Sequence, residues 1–124
     1  MVSFFRSRIR SFQHAFAGLW YVIKTQKNAW LHAVATIIVV IIGIWLKLSS
    51  VKWAILFLTI GSVWTAEFIN TALEAIVDLA CPQVHPLAKV GKDVGAAAVL
   101  ISSMFAALIG IFLIIIPLFQ KLMY

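Results

Sequence analysis

The chain has 124 residues, of which 64% are hydrophobic and only 11% charged, and its formal net charge is +6. A soluble domain carries about 25% charged residues, so this composition excludes an ordinary water-soluble enzyme and predicts one all-α integral-membrane domain over residues 1–124. A single cysteine, Cys81, excludes an intrachain disulfide and a multi-cysteine metal centre. The positive charge lies mainly toward one end, which reads as contact with anionic headgroups rather than with nucleic acid.

Residues 1–28 are expected to form an amphipathic surface segment, helical from Ser3 to Lys24. Phe5, Ile9, Phe12, Phe16, Leu19 and Ile23 recur at steps of three and four, while Arg6, Arg8, Arg10 and Gln13 lie off that stripe. Residues 29–48 are almost wholly apolar and long enough to cross a bilayer. Lys47, Ser49, Ser50 and Lys52 mark a short polar turn. A second span is predicted over 51–80, stopped by Cys81-Pro82 and His85-Pro86, and a third over 87–118. With the N-terminus inside, seven basic residues (Arg6, Arg8, Arg10, Lys24, Lys27, Lys89, Lys92) face the cytoplasm and three (Lys47, Lys52, Lys121) face out. The positive-inside rule therefore places the N-terminus and the 81–88 loop on the cytoplasmic side.

All four acids, Glu67, Glu74, Asp78 and Asp93, fall in one short region. At 100° per residue, Glu67, Glu74 and Asp78 lie within about 40° of one another on the second span, with Asn70 about 60° to one side and Thr71 about 40° to the other. Measured from Trp53 at the outer interface, Glu67 is about 21 Å and Glu74 about 32 Å along the helix. In a hydrocarbon core about 30 Å thick, Glu67 lies within the inner leaflet, Glu74 near the interface and Asp78 in water. An ionisable group inside a span marks a functional site by default. Glu67, partly desolvated, is placed to act as a general base. Glu74 is placed to hold a hard cation such as Mg²⁺ through oxygen, and Lys92 to meet phosphate oxygens. His14 and His32 read as interfacial residues, and His85 as either a helix cap or a nucleotide contact. Ala88, Gly91, Gly95, Ala98 and Ser102 form a small-residue stripe on the last helix, from which self-association is expected.

The run Glu67-Phe68-Ile69-Asn70-Thr71-Ala72-Leu73-Glu74-Ala75-Ile76-Val77-Asp78, with His85-Pro86-Leu87-Ala88-Lys89 and Lys92-Asp93-Val94-Gly95-Ala96-Ala97-Ala98-Val99, resembles the prokaryotic diacylglycerol kinase family, and most of all its undecaprenol kinase branch. The resemblance covers nearly the whole chain. It implies an N-terminal interfacial helix with three transmembrane helices in a homotrimer of the bacterial cytoplasmic membrane. It also implies Mg²⁺-dependent transfer of phosphate from ATP to a lipid hydroxyl, either diacylglycerol or undecaprenol. Under it, Glu67 is the catalytic base and Glu74 a metal ligand. His14, Glu74, Asp78, His85, Lys92 and Asp93 form the nucleotide-facing group, and Asn70 and Ala96 support the site, Ala96 standing where a serine is frequent.

One departure is chemical. Where the family has a second metal-binding glutamate in a T-E-[KR]-N pattern, this chain has Thr25-Gln26-Lys27-Asn28. Gln26 offers a carbonyl oxygen without charge, so weaker Mg²⁺ binding is expected there. Trp30 replaces a frequent basic residue. Two competing readings follow from the same residues: a proton- or cation-coupled oligomeric transporter using Glu67, and an inactive assembly partner.

Overall fold

The computed structural model describes residues 2–124. It consists of α1 (Val2–Thr25), α2 (Lys27–Leu46), α3 (Ser50–Ala80), α4 (Pro86–Gly110), a π-helical turn (Ile111–Ile115) and α5 (Ile116–Met123). Three stretches, Lys27–Leu46, Ser50–Ala80 and Pro86–Met123, are long and apolar enough to cross a membrane. The fold is thus an all-α membrane protein with three spans behind an amphipathic first helix.

The stripe of α1 stays outside the protein core: Phe5, Ile9, Phe12 and Phe16 are all exposed. Such a face needs an apolar cover, and a helix of this pattern finds it in the headgroup region of a bilayer. Gln26 breaks the helix. Its extended backbone (φ −99°, ψ 114°) separates α1 from α2, and its carbonyl accepts the Ala29 N–H at 3.2 Å.

At the far end, α2 closes on Lys47 in the left-handed region (φ 55°), where the Lys47 and Leu48 N–H groups bond back to Ile44 and Gly43. A Cβ on Gly43 would lie 3.0 Å from the Trp53 indole, so the missing side chain lets the start of α3 pack over the end of α2. Leu56, Leu113 and Ile114 form a small core at this level, with Val39, Ile42, Leu48 and Trp53 against it. Lys121 donates to the Trp45 carbonyl at 2.8 Å and lies 4.4 Å over that ring, fixing α5 at the same end of the bundle as the α2–α3 turn.

The last span differs from the single helix expected over 87–118. It begins at Pro86, widens into a π turn and runs on to Met123. Pro117 supplies the reason: it has no N–H for the carbonyl one turn back, and its ring crowds that carbonyl. Just ahead of it the Ile116 N–H reaches the Ile111 carbonyl, five residues back, and the widened turn takes up the mismatch.

The small-residue stripe of α4 is used in part within the chain, while Ala98 on the same stripe stays exposed. Gly91 meets Val77, Gly95 is buried against Asn70 and Leu73, and Val99 is buried beside them. The small residues serve the seam between α4 and α3 inside one chain. In lipid, close backbone approach replaces the hydrophobic force that joins helices in water.

Candidate active site

The acidic face of α3 is graded in burial. Glu67 is 1% exposed, Thr71 4% and Asn70 7%; Glu74 is half-buried and Asp78 exposed. Helical periodicity sets the common face, and the seam with α2 and α4 sets the gradient. Glu67 is enclosed more fully than the sequence reading expected, because protein rather than lipid surrounds it.

The Glu67 carboxylate faces His32 on α2, with Oε2 3.7 Å from Nε2. Both atoms are shielded from solvent and have no hydrogen-bond partner. The imidazole stands edge-on to Trp64, ring centroids 6.2 Å apart. Trp64 Nε1 donates to Thr36 Oγ1 at 3.2 Å, and Thr36 donates to the His32 carbonyl at 2.7 Å. The Thr36–Trp64 bond joins α2 to α3 at this level and sets the Trp64 ring against the imidazole. This corrects the reading of His32 as an interfacial residue. Its signal was present in the sequence as a lone ionisable side chain within an apolar span.

One turn nearer the bundle end, Asn70 Nδ2 donates to Glu74 Oε1 at 3.2 Å and so orients that carboxylate. Asn70 Oδ1 is buried without a partner and points at Gly95, where any Cβ would collide with it. Beyond this pair, Lys92 on α4 forms an ion pair with Asp78 on α3, and Lys89 pairs with Asp93 along α4. His85 caps α4: its Nδ1 accepts the Leu87 N–H at 3.1 Å. The structure thus brings Glu67, Asn70, Glu74, Asp78 and Lys92 into one line at the α3–α4 seam. Asp93 and Ala96 are exposed on α4 and His14 on α1; Gln26 is half-buried at the α1–α2 junction.

Among the described residues, no three His, Cys, Asp or Glu side chains gather as a metal set. One chain offers Glu74 as an oriented oxygen ligand at the accessible end of the stripe. An oxygen donor of this kind fits a Mg²⁺ that takes its remaining ligands from water and substrate phosphates, which is how that ion is usually held.

An apolar groove of ≈540 Å³ lies between α2, α3 and the α4–π segment, walled by Val39, Leu56, Ile60, Val63 and Ile114. His32 and Trp64 line its polar end. The groove therefore leads along the span to the imidazole beside Glu67.

These features define a small integral-membrane protein that keeps a buried carboxylate beside a histidine lining an apolar groove. Comparison with known proteins agrees. The prokaryotic diacylglycerol kinase family matches residues 13–114. An undecaprenol kinase of Bacillus subtilis is 42% identical over 108 residues, 87% of each chain. A diacylglycerol kinase of Synechocystis is 39% identical over 109 residues, covering 87% of this chain and 62% of its own. A diacylglycerol kinase of Escherichia coli is 32% identical over 95 residues, 71% of this chain and 78% of its own. The chain belongs to the prokaryotic diacylglycerol kinase family and is a lipid kinase. The similarity to the Bacillus protein supports the undecaprenol kinase-like branch. The transporter reading is not favoured by this membership, and α3 runs unbroken through Glu67 and Glu74, whereas transporter sites are typically built on interrupted helices.

Proposed function

We propose that the chain transfers the γ-phosphate of ATP to the primary hydroxyl of a membrane lipid, first a polyprenol of the undecaprenol type and second a diacylglycerol. The observation that carries this reading is the buried, unpartnered Glu67 oxygen beside His32, which lines one end of the apolar groove. The groove takes hydrocarbon chain within the bilayer and leaves the hydroxyl at the His32 end. Glu67 accepts the hydroxyl proton as the oxygen attacks. A new oxygen–phosphorus bond forms at the γ-phosphorus, and the bond from that phosphorus to the β–γ bridging oxygen breaks, releasing ADP. Positioning and charge stabilisation dominate such transfers. A carboxylate held out of water is already stripped of the hydration that would blunt it as a base.

Glu74, oriented by Asn70, would hold Mg²⁺ with Gln26 as a weaker neutral oxygen, and the ion supplies neutralisation of phosphate charge when bound. Lys92 has three ammonium donors, so it can keep Asp78 and still meet a phosphate oxygen. His14, Asp78, His85 and Asp93 complete the nucleotide-facing group, with Asn70 and Ala96 in support. The site faces the cytoplasm of a bacterial inner membrane, in keeping with the distribution of basic residues. The large exposed apolar faces, among them Phe105, Leu108 and Phe112, are available both to lipid and to two further copies in a homotrimer.

The test is direct. Protein in mixed micelles receives γ-labelled ATP, Mg²⁺ and either diacylglycerol or undecaprenol; label is expected in lipid, with undecaprenol the better acceptor. No label in either lipid at any Mg²⁺ concentration refutes the proposal. Gln26→Glu adds a charged oxygen ligand and is expected to lower the Mg²⁺ needed for half-maximal activity several-fold in a Mg²⁺ titration. An unchanged or higher requirement removes Gln26 from the metal site.

A further inference from the structure

The mechanism above uses Glu67 and leaves His32 without work, yet the two end on facing, partnerless atoms. His32 Nε2 and Glu67 Oε2 are 3.7 Å apart and neither is solvated. That separation is too long for a hydrogen bond and shorter than two hydrogen-bond lengths laid end to end. An oxygen set to one side of the line joining them reaches both at normal hydrogen-bond distance. Leaving either atom without a partner in a dry site is unfavourable, and that deficit is removed when a group able both to donate and to accept enters. A hydroxyl has that dual character; a hydrocarbon has neither. The groove reaches His32, and a turn of its ring toward the groove opens the pair, whose facing atoms are closed to solvent in the resting structure.

We propose that His32 binds the acceptor lipid's hydroxyl, donating its Nε2–H to the hydroxyl oxygen while that hydroxyl donates its proton to Glu67 Oε2. The inference rests on the lipid-kinase reading and assigns the residue that recognises the alcohol. Two contacts from opposite helices fix the oxygen in space. His32 occupies one lone pair and Glu67 takes the proton, so the remaining lone pair is left to attack phosphorus. The Trp64 ring packs edge-on against the imidazole, and Trp64 is itself fixed by its hydrogen bond to Thr36. A lipid that lacks the hydroxyl, or carries an ether oxygen in its place, satisfies at most one of the two atoms.

Two measurements test the assignment. In the first, protein carrying ¹⁵N-labelled imidazoles in detergent micelles is titrated with farnesol, with 1,2-dioctanoylglycerol and with the hydrocarbon farnesene. The His32 resonance is identified by its loss in His32→Gln. It is expected to shift with either alcohol and to stay in place with farnesene; no shift with the alcohols, or equal shifts with all three, overturns the proposal. This readout needs no turnover, so it stands apart from the failure of the kinase reading, which shows itself as absence of label transfer by the wild type. In the second, His32→Ala is expected to raise the KM for the lipid alcohol about tenfold or more, the value of one lost hydrogen bond of roughly 1.4 kcal/mol, with the KM for ATP unchanged. His32→Gln, whose amide restores a donor at similar reach, is expected to recover part of the loss. Equal changes in both KM values, or no recovery by Gln, would show His32 to be structural.

Discussion

Glu67→Gln is expected to lower kcat by about 10²- to 10⁴-fold, the usual worth of a general base, while nucleotide affinity stays within twofold. The substitution keeps shape and an oxygen but removes the ability to take a proton. Glu67 is 1% exposed, with Oε2 unpartnered. A buried charge without a close partner is a cost to the fold, so the neutral amide is expected to leave the melting temperature in detergent unchanged or to raise it. Loss of activity with gain of stability is the pattern that separates a catalytic acid from a structural one. Single-turnover label transfer and binding of a non-hydrolysable ATP analogue measure the two halves. Residual turnover within tenfold of the wild type would remove Glu67 from the role of base.

Gly95→Ala is expected to be the most damaging single-methyl change in the chain. A Cβ there collides with Asn70 Oδ1, so the amide must swing away and abandon its bond to Glu74. The expected result is a fall in kcat of tenfold or more together with a raised Mg²⁺ requirement, since the carboxylate that would hold the ion loses its orienting partner. Outer partners of this kind are worth about 10- to 100-fold in metal affinity or activity. Adding Asn70→Ala to Gly95→Ala separates packing from chemistry. It removes the colliding oxygen and is expected to restore thermal stability relative to Gly95→Ala alone, leaving the Mg²⁺ defect in place. If the double variant regains wild-type Mg²⁺ dependence, Asn70 has no part in orienting Glu74.

Several features were legible before any coordinates. The three spans follow from runs of apolar residues long enough for a bilayer. The order Glu67, Glu74, Asp78 from buried to exposed follows from the rise and turn of one helix. His85 as a cap was one of two readings, and its bond to the Leu87 N–H makes it one. Other features were hidden in a physical sense. His32 looked interfacial because its depth puts it near the end of α2; only the rotation of α2 against α3 turns it onto Glu67. The small-residue stripe was a sign of close packing without a named neighbour, and at Gly91 and Gly95 that neighbour is α3 of the same chain. The π turn ahead of Pro117 required the geometry of the last span rather than its composition.

What the sequence determined by itself is everything a single helix sets locally: length, depth, which residues share a face, and a family resemblance that the comparisons bear out. What only the tertiary structure decided is which faces meet. In water an apolar stripe must turn inward, so the pattern names the buried face. In a bilayer the lipid tails are as apolar as Leu or Ile, and hydrophobicity no longer sorts inside from outside. The rotation of each span is then set by close contacts such as Gly95 against Asn70 and by polar pairs such as Lys92 with Asp78. Between α2 and α3 the Trp64–Thr36 bond and Gly43 under Trp53 do the same and bring His32 to Glu67, a pairing that neither helix specifies alone.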